Sequence, residues 1–146
     1  MGYAPMTENE VQAFMRATPA RTVAAATTRK DGRPHVVPVW VAFDDESGQI
    51  VFNTGADTVK GRSMRRTGEV ALSFHDDIPP FNFVTIEGTV ELIDDLDQVR
   101  TWATRIAARY MGADRAEEFG ARNGVPGELL VRVTPTKVIA ARDLAD

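Results

Sequence analysis

The most constraining feature of the sequence is a strict alternation of apolar and polar residues between positions 84 and 92. One face would carry Val84, Ile86, Gly88, Val90 and Leu92, and the other Thr85, Glu87, Thr89 and Glu91. A period of two is typical of a β-strand with one buried face and one face in contact with water or a partner. The pattern therefore predicts a long strand here and a fold built on a sheet.

Five other segments also have the composition of strands, and most are separated by turn sequences. The stretch 29–33 contains the glycine of a hairpin turn, and 45–48 forms a second turn. Pro38 lacks an N–H group and is expected at an edge, a bulge or a ligand-facing position, and Pro135 at a bulge or bend. Strands joined by tight turns favour an antiparallel barrel, because closure removes exposed edges. With the alternating strand, the predicted strands number six, the others being 22–28, 34–43, 50–53, 70–75 and 129–141.

Helices are predicted at the periphery of this barrel. Thr7 and Glu10 form the pattern of a capping box, and the pair Asp94-Asp95 precedes an amphipathic stripe that ends at Gly112. The length of 146 residues fits one domain. We therefore expect a mainly β fold with peripheral short helices, in a single domain over residues 1–146. The predicted helices are 7–17, 57–67, 95–112 and 114–122.

Composition argues against several classes of function. The chain has no cysteine, which removes disulfides, thiolate nucleophiles and zinc–thiolate sites. Its two histidines, His35 and His75, show no metal-binding spacing, so no metal site is expected. The net charge of −4 argues against general nucleic-acid binding, and no apolar stretch is long enough for a membrane span. The N-terminus lacks the pattern of a signal peptide, so a cytoplasmic protein is expected.

The strongest candidate for a binding site is the segment VFNTGADTVKGRSMRR at residues 51–66. It has the pattern of a strand, a glycine-containing turn and the first turns of a helix. Helix N-termini favour anions, and lysine and arginine add charge-assisted donors for phosphate oxygens. The glycine inside the helix has no side chain, which allows ligand or backbone to approach closely. The residues that carry this phosphate-site prediction are Asn53, Thr54, Thr58, Lys60, Gly61 and Arg62.

The basic residues of this segment also have a simpler interpretation. Between positions 58 and 66 the chain carries four cations and no acid, namely Lys60, Arg62, Arg65 and Arg66. In an acidic protein, such a local excess suggests a specific anionic ligand rather than a long polyanion. Taken alone, however, the run fits a solvated helix face equally well.

Four segments match one known family in the same order along the chain. They are GRPHVVPVWVAFD (32–44), VFNTGADTVKGRSMRR (51–66), FVTIEGTVELIDD (83–95) and VRVTPTKVIA (131–140). Together they resemble the flavin-binding split-barrel proteins of the pyridoxamine 5′-phosphate oxidase-like superfamily, and they are most similar to its deazaflavin branch, which uses coenzyme F420. This resemblance implies a six-stranded antiparallel split β-barrel and an obligate homodimer with two cofactors at the subunit interface.

The resemblance also implies roles for individual residues. The phosphate-bearing arm of the cofactor is expected at the six residues already named for the phosphate site. The tricyclic ring is expected along the strand residues Pro38, Val39 and Trp40. Phe81 and Phe83 are expected to reach the site from the second subunit. Plain core packing is an equal alternative for the three aromatic residues.

Three functions are compatible with this resemblance. The first is an oxidoreductase that transfers hydride from reduced coenzyme F420 to an electron-poor small organic substrate, with no catalytic residue identified in the chain. The second uses FMN instead, because the basic residues suit both the glutamate tail of F420 and the phosphate of FMN. The third is a non-enzymatic cofactor-binding or carrier protein. Vitamin B6 oxidation is not expected, because the sequence ends at Asp146 without the C-terminal Arg and His of those oxidases.

Overall fold

The computed structural model describes residues 4–145. Residues 1–3 and 146 lie outside this description. The two ends of the predicted domain 1–146 and the start of the N-terminal stretch therefore also lie outside it. A single 3₁₀ turn joins the last two helices. The strands are β1 (Ala4–Pro5), β2 (Val23–Thr28), β3 (Pro34–Val39), β4 (Ala42–Asp44), β5 (Gln49–Gly55), β6 (Glu69–His75), β7 (Phe83–Ile93) and β8 (Glu128–Arg142), and the helices are α1 (Glu8–Met15), α2 (Val59–Thr67), α3 (Leu96–Met111) and α4 (Ala116–Asn123).

All strands join one antiparallel sheet in the order β3-β2-β6-β7-β8-β5-β4, with β1 paired to β8. The long strand predicted from the alternation is β7, which pairs with β6 on one side and β8 on the other. Strand β8 pairs with β5 through its first residues and with β7 along nearly all of its length. This arrangement confirms the mainly β antiparallel fold with short peripheral helices.

The strand count differs from the prediction of six, because residues 4–145 form eight strands. One added strand is the two-residue β1, which is too short to give a sequence pattern. The other arises because the predicted strand 34–43 breaks between Val39 and Ala42. At the break, the Val41 N–H donates to the Tyr110 hydroxyl at 3.1 Å, and the Val41 carbonyl accepts from the Arg109 guanidinium. Helix α3 thus satisfies backbone groups that a continuous strand would have paired in the sheet.

The Tyr110 hydroxyl is expected to stabilise this break measurably. It accepts from Val41 N–H and donates to the Arg21 carbonyl at 2.7 Å, in a partly buried position. Tyr110→Phe would leave both backbone groups without this partner, so we expect the free energy of unfolding to fall by about 1–2 kcal/mol. Urea denaturation followed by circular dichroism measures this change. An unchanged midpoint would mean that water replaces the hydroxyl at no cost.

The two prolines inside predicted strands occupy the positions expected of them. Pro38 lies on β3, the last strand at one end of the sheet, where it faces Ala24 of β2. Pro135 pairs with Gly88 at the register shift between β7 and β8. Both sites tolerate the missing N–H group, as predicted for an edge and a bulge.

The sheet has a hydrophobic core on each face. The larger core fills the barrel and includes Phe52, Leu72, Phe74 and Ile86. On the outer face, α3 packs a second core against β4, β5 and β8, made of Ala42, Val51, Val99, Trp102, Ile106 and Leu130. Within residues 4–145, none of the helices has both the length and the apolar character needed to cross a bilayer.

Candidate functional site

Two of the segments singled out in the sequence, 32–44 and 51–66, meet at one cavity of about 280 Å³. It lies where the end of β3, strand β5, the first turn of α2, helix α3 and the start of β8 come together. We refer to it as the Lys60 cavity. Its lining residues are Pro38, Val39, Trp40, Asn53, Lys60, Ala103, Ile106, Asn123 and Glu128.

Trp40 both lines this cavity and packs against the outer core. Its ring stacks on Tyr110, with centroids 5.0 Å apart and planes inclined by 4°, and it meets Phe119 edge-on at 6.4 Å. The residue is partly buried against the second hydrophobic core. Trp40 therefore packs in the core of its own protomer, and its place along a cofactor ring stays a prediction. The stacking fixes an aromatic wall for the cavity.

The corner between β5 and α2 is built by two threonine hydroxyls. Thr58 caps α2: its hydroxyl accepts from the Gly61 N–H at 3.1 Å and donates to the Gly55 carbonyl at 2.7 Å. Thr54 is buried, and its hydroxyl lies 3.1 Å from that of Thr58. Both hydroxyls are therefore engaged in shaping the corner, and direct contact with a ligand phosphate stays a prediction for them.

Gly61 lets the first turn of α2 approach the end of β5. A Cβ at this position would lie only 2.4 Å from the Gly55 carbonyl oxygen. Backbone rather than ligand thus occupies the space that the missing side chain leaves. The close approach keeps Lys60, the preceding residue, at the edge of the cavity.

Two opposite charges face each other in the Lys60 cavity. Burial lowers the pKa of the Lys60 ammonium, and the Glu128 carboxylate only partly offsets this effect. Burial likewise raises the pKa of the Glu128 carboxyl, and Lys60 only partly offsets that. Each group is therefore incompletely compensated by the other, so an anion placed beside Lys60 would be stabilised. Asn53 adds an amide whose nitrogen lies 3.5 Å from the Val99 carbonyl, a weak contact that leaves donor capacity.

The remaining predicted residues lie outside this cavity. Arg62 lines a different cavity on the other side of α2, together with Arg66. The four cations of residues 58–66 therefore do not form one basic mouth, because the helix separates them. Phe81 and Phe83 lie in the β6–β7 loop and at the start of β7, and neither lines the Lys60 cavity within the protomer.

Glu128 is the main cavity residue that sequence reasoning missed. It is the first residue of β8 and pairs with Gly55, the last residue of β5. No local motif marks it, since its position depends on which strand lies beside β5. Ala103, Ile106 and Asn123 were missed for the same reason, because the packing of α3 and α4 brings them to the site.

Comparisons with known proteins place this geometry in context. The sequence profile described as pyridoxamine 5′-phosphate oxidase matches residues 7–141. No curated protein sequence matches the chain. Among solved structures, a conserved hypothetical protein from Mycobacterium tuberculosis has a TM-score of 0.79 and 24% sequence identity, covering 96% of this chain and 86% of that chain.

Two further solved structures come from proteins of described function. An F420 reductase has a TM-score of 0.67 and 24% identity, over 88% of this chain and 94% of that chain. A FAD-binding protein from Mesorhizobium loti has a TM-score of 0.68 and 19% identity, with 97% of each chain covered. At these identities the similarity establishes a shared fold, the split barrel.

Proposed function

The chain belongs to the pyridoxamine 5′-phosphate oxidase family, and on that basis we propose that it is a coenzyme F420-dependent oxidoreductase. When bound, the reduced deazaflavin supplies a hydride to an electron-poor double bond of a small organic substrate. The chain's own residues would bind the phosphate arm, orient the ring along the β3 edge and exclude water. The similarity to an F420 reductase supports deazaflavin as the cofactor.

The observation that carries the proposal is the convergence of three structural elements, β3, β5 and α2, on one cavity. Pro38, Val39 and Trp40 come from β3 and the break after it, Asn53 from β5, and Lys60 from α2. The resemblance had assigned the first three to the ring and the other two to the phosphate arm. Three residues assigned to the ring and two of the six assigned to the phosphate arm thus line one continuous space.

The donors at this cavity fit a phosphate group. Lys60 is half-buried, and burial lowers the pKa of its ammonium group, so a phosphate oxygen would restore the interaction that desolvation removes. The first N–H groups of a helix have no partner within the helix, and Thr58 satisfies only that of Gly61 with its side chain. The N–H group of Lys60, which lines this cavity, has no partner among the described residues and is left for a ligand.

We further propose that a second copy of the chain completes the site. The β6–β7 loop exposes Ile78 and Phe81, which are 69% and 40% exposed, and Leu144 beside it is 44% exposed. Phe81 has a φ of 59°, an uncommon conformation for a bulky residue. An exposed apolar group held in this way suits an aromatic contact to a partner subunit.

The dimer predicts a strong effect at Phe81. Phe81→Asp should raise the dimer dissociation constant about tenfold or more, because a carboxylate would replace a ring in an apolar contact. Sedimentation velocity over a range of concentrations measures this change. A wild-type chain that sediments as a monomer at all concentrations would contradict the dimer.

FMN is the second candidate cofactor, and the similarity to a FAD-binding protein supports a flavin in place of the deazaflavin. Titrations with F420, FMN and FAD, followed by fluorescence quenching, rank the three ligands side by side. Anaerobic turnover with the reduced form of the tightest ligand then uses a panel of enones, quinones and nitro compounds. Tightest binding of F420 with hydride transfer supports the proposal. Preference for FMN overturns the cofactor assignment, and tight binding without turnover points to a carrier.

Glu128 is expected to oppose the phosphate and to make its binding depend on pH. A phosphate beside Lys60 would raise the pKa of the Glu128 carboxyl further above its ordinary value. The bound state then holds more protons than the free state, so affinity should increase as the pH falls from 8 towards 5. F420 and FAD suit this test because their phosphodiester charges stay constant over the range.

Glu128→Gln should therefore tighten binding of F420 or FAD by about three- to tenfold at pH 8 and flatten the pH dependence. Glu117→Gln, at an exposed position on α4, is the matched control and should change neither quantity. If Glu128→Gln binds more weakly than the wild type, the carboxylate contacts the ligand favourably and this part of the site must be revised.

A further inference from the structure

A second cavity of about 500 Å³ lies between helix α2 and the hairpin that joins β2 to β3. We refer to it as the basic cleft. We propose that it binds a small anionic ligand carrying two or more phosphate or carboxylate groups, independently of the Lys60 cavity. The residues that line it are Arg29, Lys30, Asp31, Arg33, Val59, Arg62, Ser63 and Arg66.

The geometry of α2 separates this cleft from the Lys60 cavity. Successive helical residues are rotated by about 100°, so Lys60 and Arg62 project from nearly opposite sides. Arg62 and Arg66 are four residues apart and share one face. Accordingly, Lys60 lines the first cavity, while Arg62 and Arg66 line the second. One helix thus presents cations to two different spaces.

The cations of the cleft are unusually free of partners. Arg29, Lys30 and Arg62 form no ion pair and no side-chain hydrogen bond with any residue among 4–145. Most other arginines in that range are held by a carboxylate, a carbonyl or an aromatic ring, as with Arg21 on Asp76 and Arg105 on Trp102. Two of the uncommitted guanidinium groups therefore face the same cleft.

The single acid of the cleft does not neutralise it. Asp31 accepts from the Arg33 guanidinium at 2.7 and 2.8 Å, and this contact lowers the pKa of the Asp31 carboxyl. The carboxylate therefore offsets the charge of Arg33 and, more weakly, that of Arg29, and it leaves the other three cations of the cleft uncompensated. Such a concentration of positive charge in a chain of net charge −4 favours a specific anion at this place.

The cleft is also held in shape before any ligand binds. In the hairpin, the Arg29 N–H donates to the Arg33 carbonyl at 2.8 Å, and the Gly32 N–H donates to the Arg29 carbonyl at 2.9 Å. Gly32 supplies the positive φ of 89° that this turn needs. The Arg66 guanidinium donates to the Thr28 carbonyl and so ties α2 to the hairpin. Because these contacts fix the backbone of both walls, binding has less conformational entropy to lose.

The chemistry of the walls defines the ligand class. Guanidinium groups donate paired hydrogen bonds that match the oxygens of phosphates and carboxylates. Cations on both walls require a ligand with at least two anionic groups to engage hairpin and helix together. The five cations of the cleft surround a space of about 500 Å³, which suits a small polyanion rather than an extended nucleic acid.

The test is isothermal titration of the full chain with inorganic tripolyphosphate and, separately, with citrate, at constant ionic strength. The key variant is the double substitution Arg29→Ala with Arg62→Ala, which removes one cation from each wall. Lys30→Ala with Arg62→Ala is a second pair, in case the first lowers stability. Lys60→Ala reports on the other cavity. Arg65→Ala controls for net charge, since Arg65 is exposed on the same helix and lines neither cavity.

We expect both double variants to weaken anion binding at the basic cleft by about 10- to 100-fold, while Arg65→Ala leaves it unchanged. Lys60→Ala should affect only the binding of anions to the Lys60 cavity. Tighter binding of tripolyphosphate than of citrate, or the reverse, identifies the anionic group that the cleft prefers. Three results would overturn the proposal. The first is a loss of anion affinity in Lys60→Ala alone. The second is a loss in Arg65→Ala equal to that in the double variants, which indicates diffuse surface attraction. The third is the absence of binding of either anion at about 5 mM.

Discussion

Replacement of Lys60 by alanine is expected to weaken the binding of a phosphate-bearing cofactor by about 1.5–3 kcal/mol. Lys60 is half-buried at the edge of its cavity, and burial lowers the pKa of its ammonium group. A phosphate beside it would form a charge-assisted contact in a partly desolvated place, which is the setting in which such contacts are strong. The loss should be seen with F420 or FMN in a fluorescence titration.

Arg65→Ala is the matched control for this prediction. It removes the same charge from the same helix, but Arg65 is exposed and does not line the Lys60 cavity. The cofactor affinity of Arg65→Ala should stay within a factor of about two of the wild type, because the effect of one exposed charge is small and screened by salt. Equal losses in the two variants would show that the helix attracts the cofactor only through its overall charge. No loss in Lys60→Ala would remove the phosphate site from this corner.

Gly61→Ala is expected to lower the free energy of unfolding by about 1–3 kcal/mol and to impair cofactor binding as well. The added methyl would lie 2.4 Å from the Gly55 carbonyl oxygen, and 3.1 Å from the Thr58 hydroxyl that caps the helix. Alanine has the higher helix propensity by about 1 kcal/mol, but a backbone oxygen cannot move aside as a flexible side chain can. The first turn of α2 must therefore shift away from β5, and Lys60 shifts with it.

Gly68→Ala provides the comparison. Gly68 ends the same helix with a φ of 71° and has open space where a Cβ would lie. Its replacement should cost about 1 kcal/mol of stability through the left-handed backbone alone, with cofactor affinity unchanged. Urea denaturation and cofactor titration of both variants separate the two effects. Gly61→Ala with wild-type stability and affinity would show that the close approach at this corner is not required.

Local patterns were sufficient to predict most elements of the fold. The alternation that begins at Val84 and the capping box of Thr7 and Glu10 report on neighbours in sequence, and both are present as predicted. The break at Val41 could not be predicted in this way. Its cause is a pair of side chains nearly 70 residues away, Arg109 and Tyr110, that replace sheet hydrogen bonds. This replacement of sheet hydrogen bonds by side-chain contacts depends on tertiary packing.

The residues of the candidate site also differ in whether a local sequence pattern or tertiary packing determines their position. Lys60 and Asn53 could be identified because a strand-to-helix corner with basic residues has a local signature. Glu128 could not be identified from the sequence, because its place in the site depends on strand order. The separation of Arg62 from Lys60 could not be predicted either, because it depends on what packs against each side of α2. Charge alone does not distinguish two cavities that share a helix.

The most direct test of the cofactor site is a titration of the isotope-labelled protein with F420, and in parallel with FMN, followed by backbone and side-chain N–H resonances. We predict the largest shifts at the Lys60 amide, the Asn53 side-chain amide and the Trp40 indole, which line one cavity. The amides of the 29–33 hairpin should move much less. Shifts that are absent from these three groups, or concentrated in the hairpin, would contradict a cofactor bound in the Lys60 cavity.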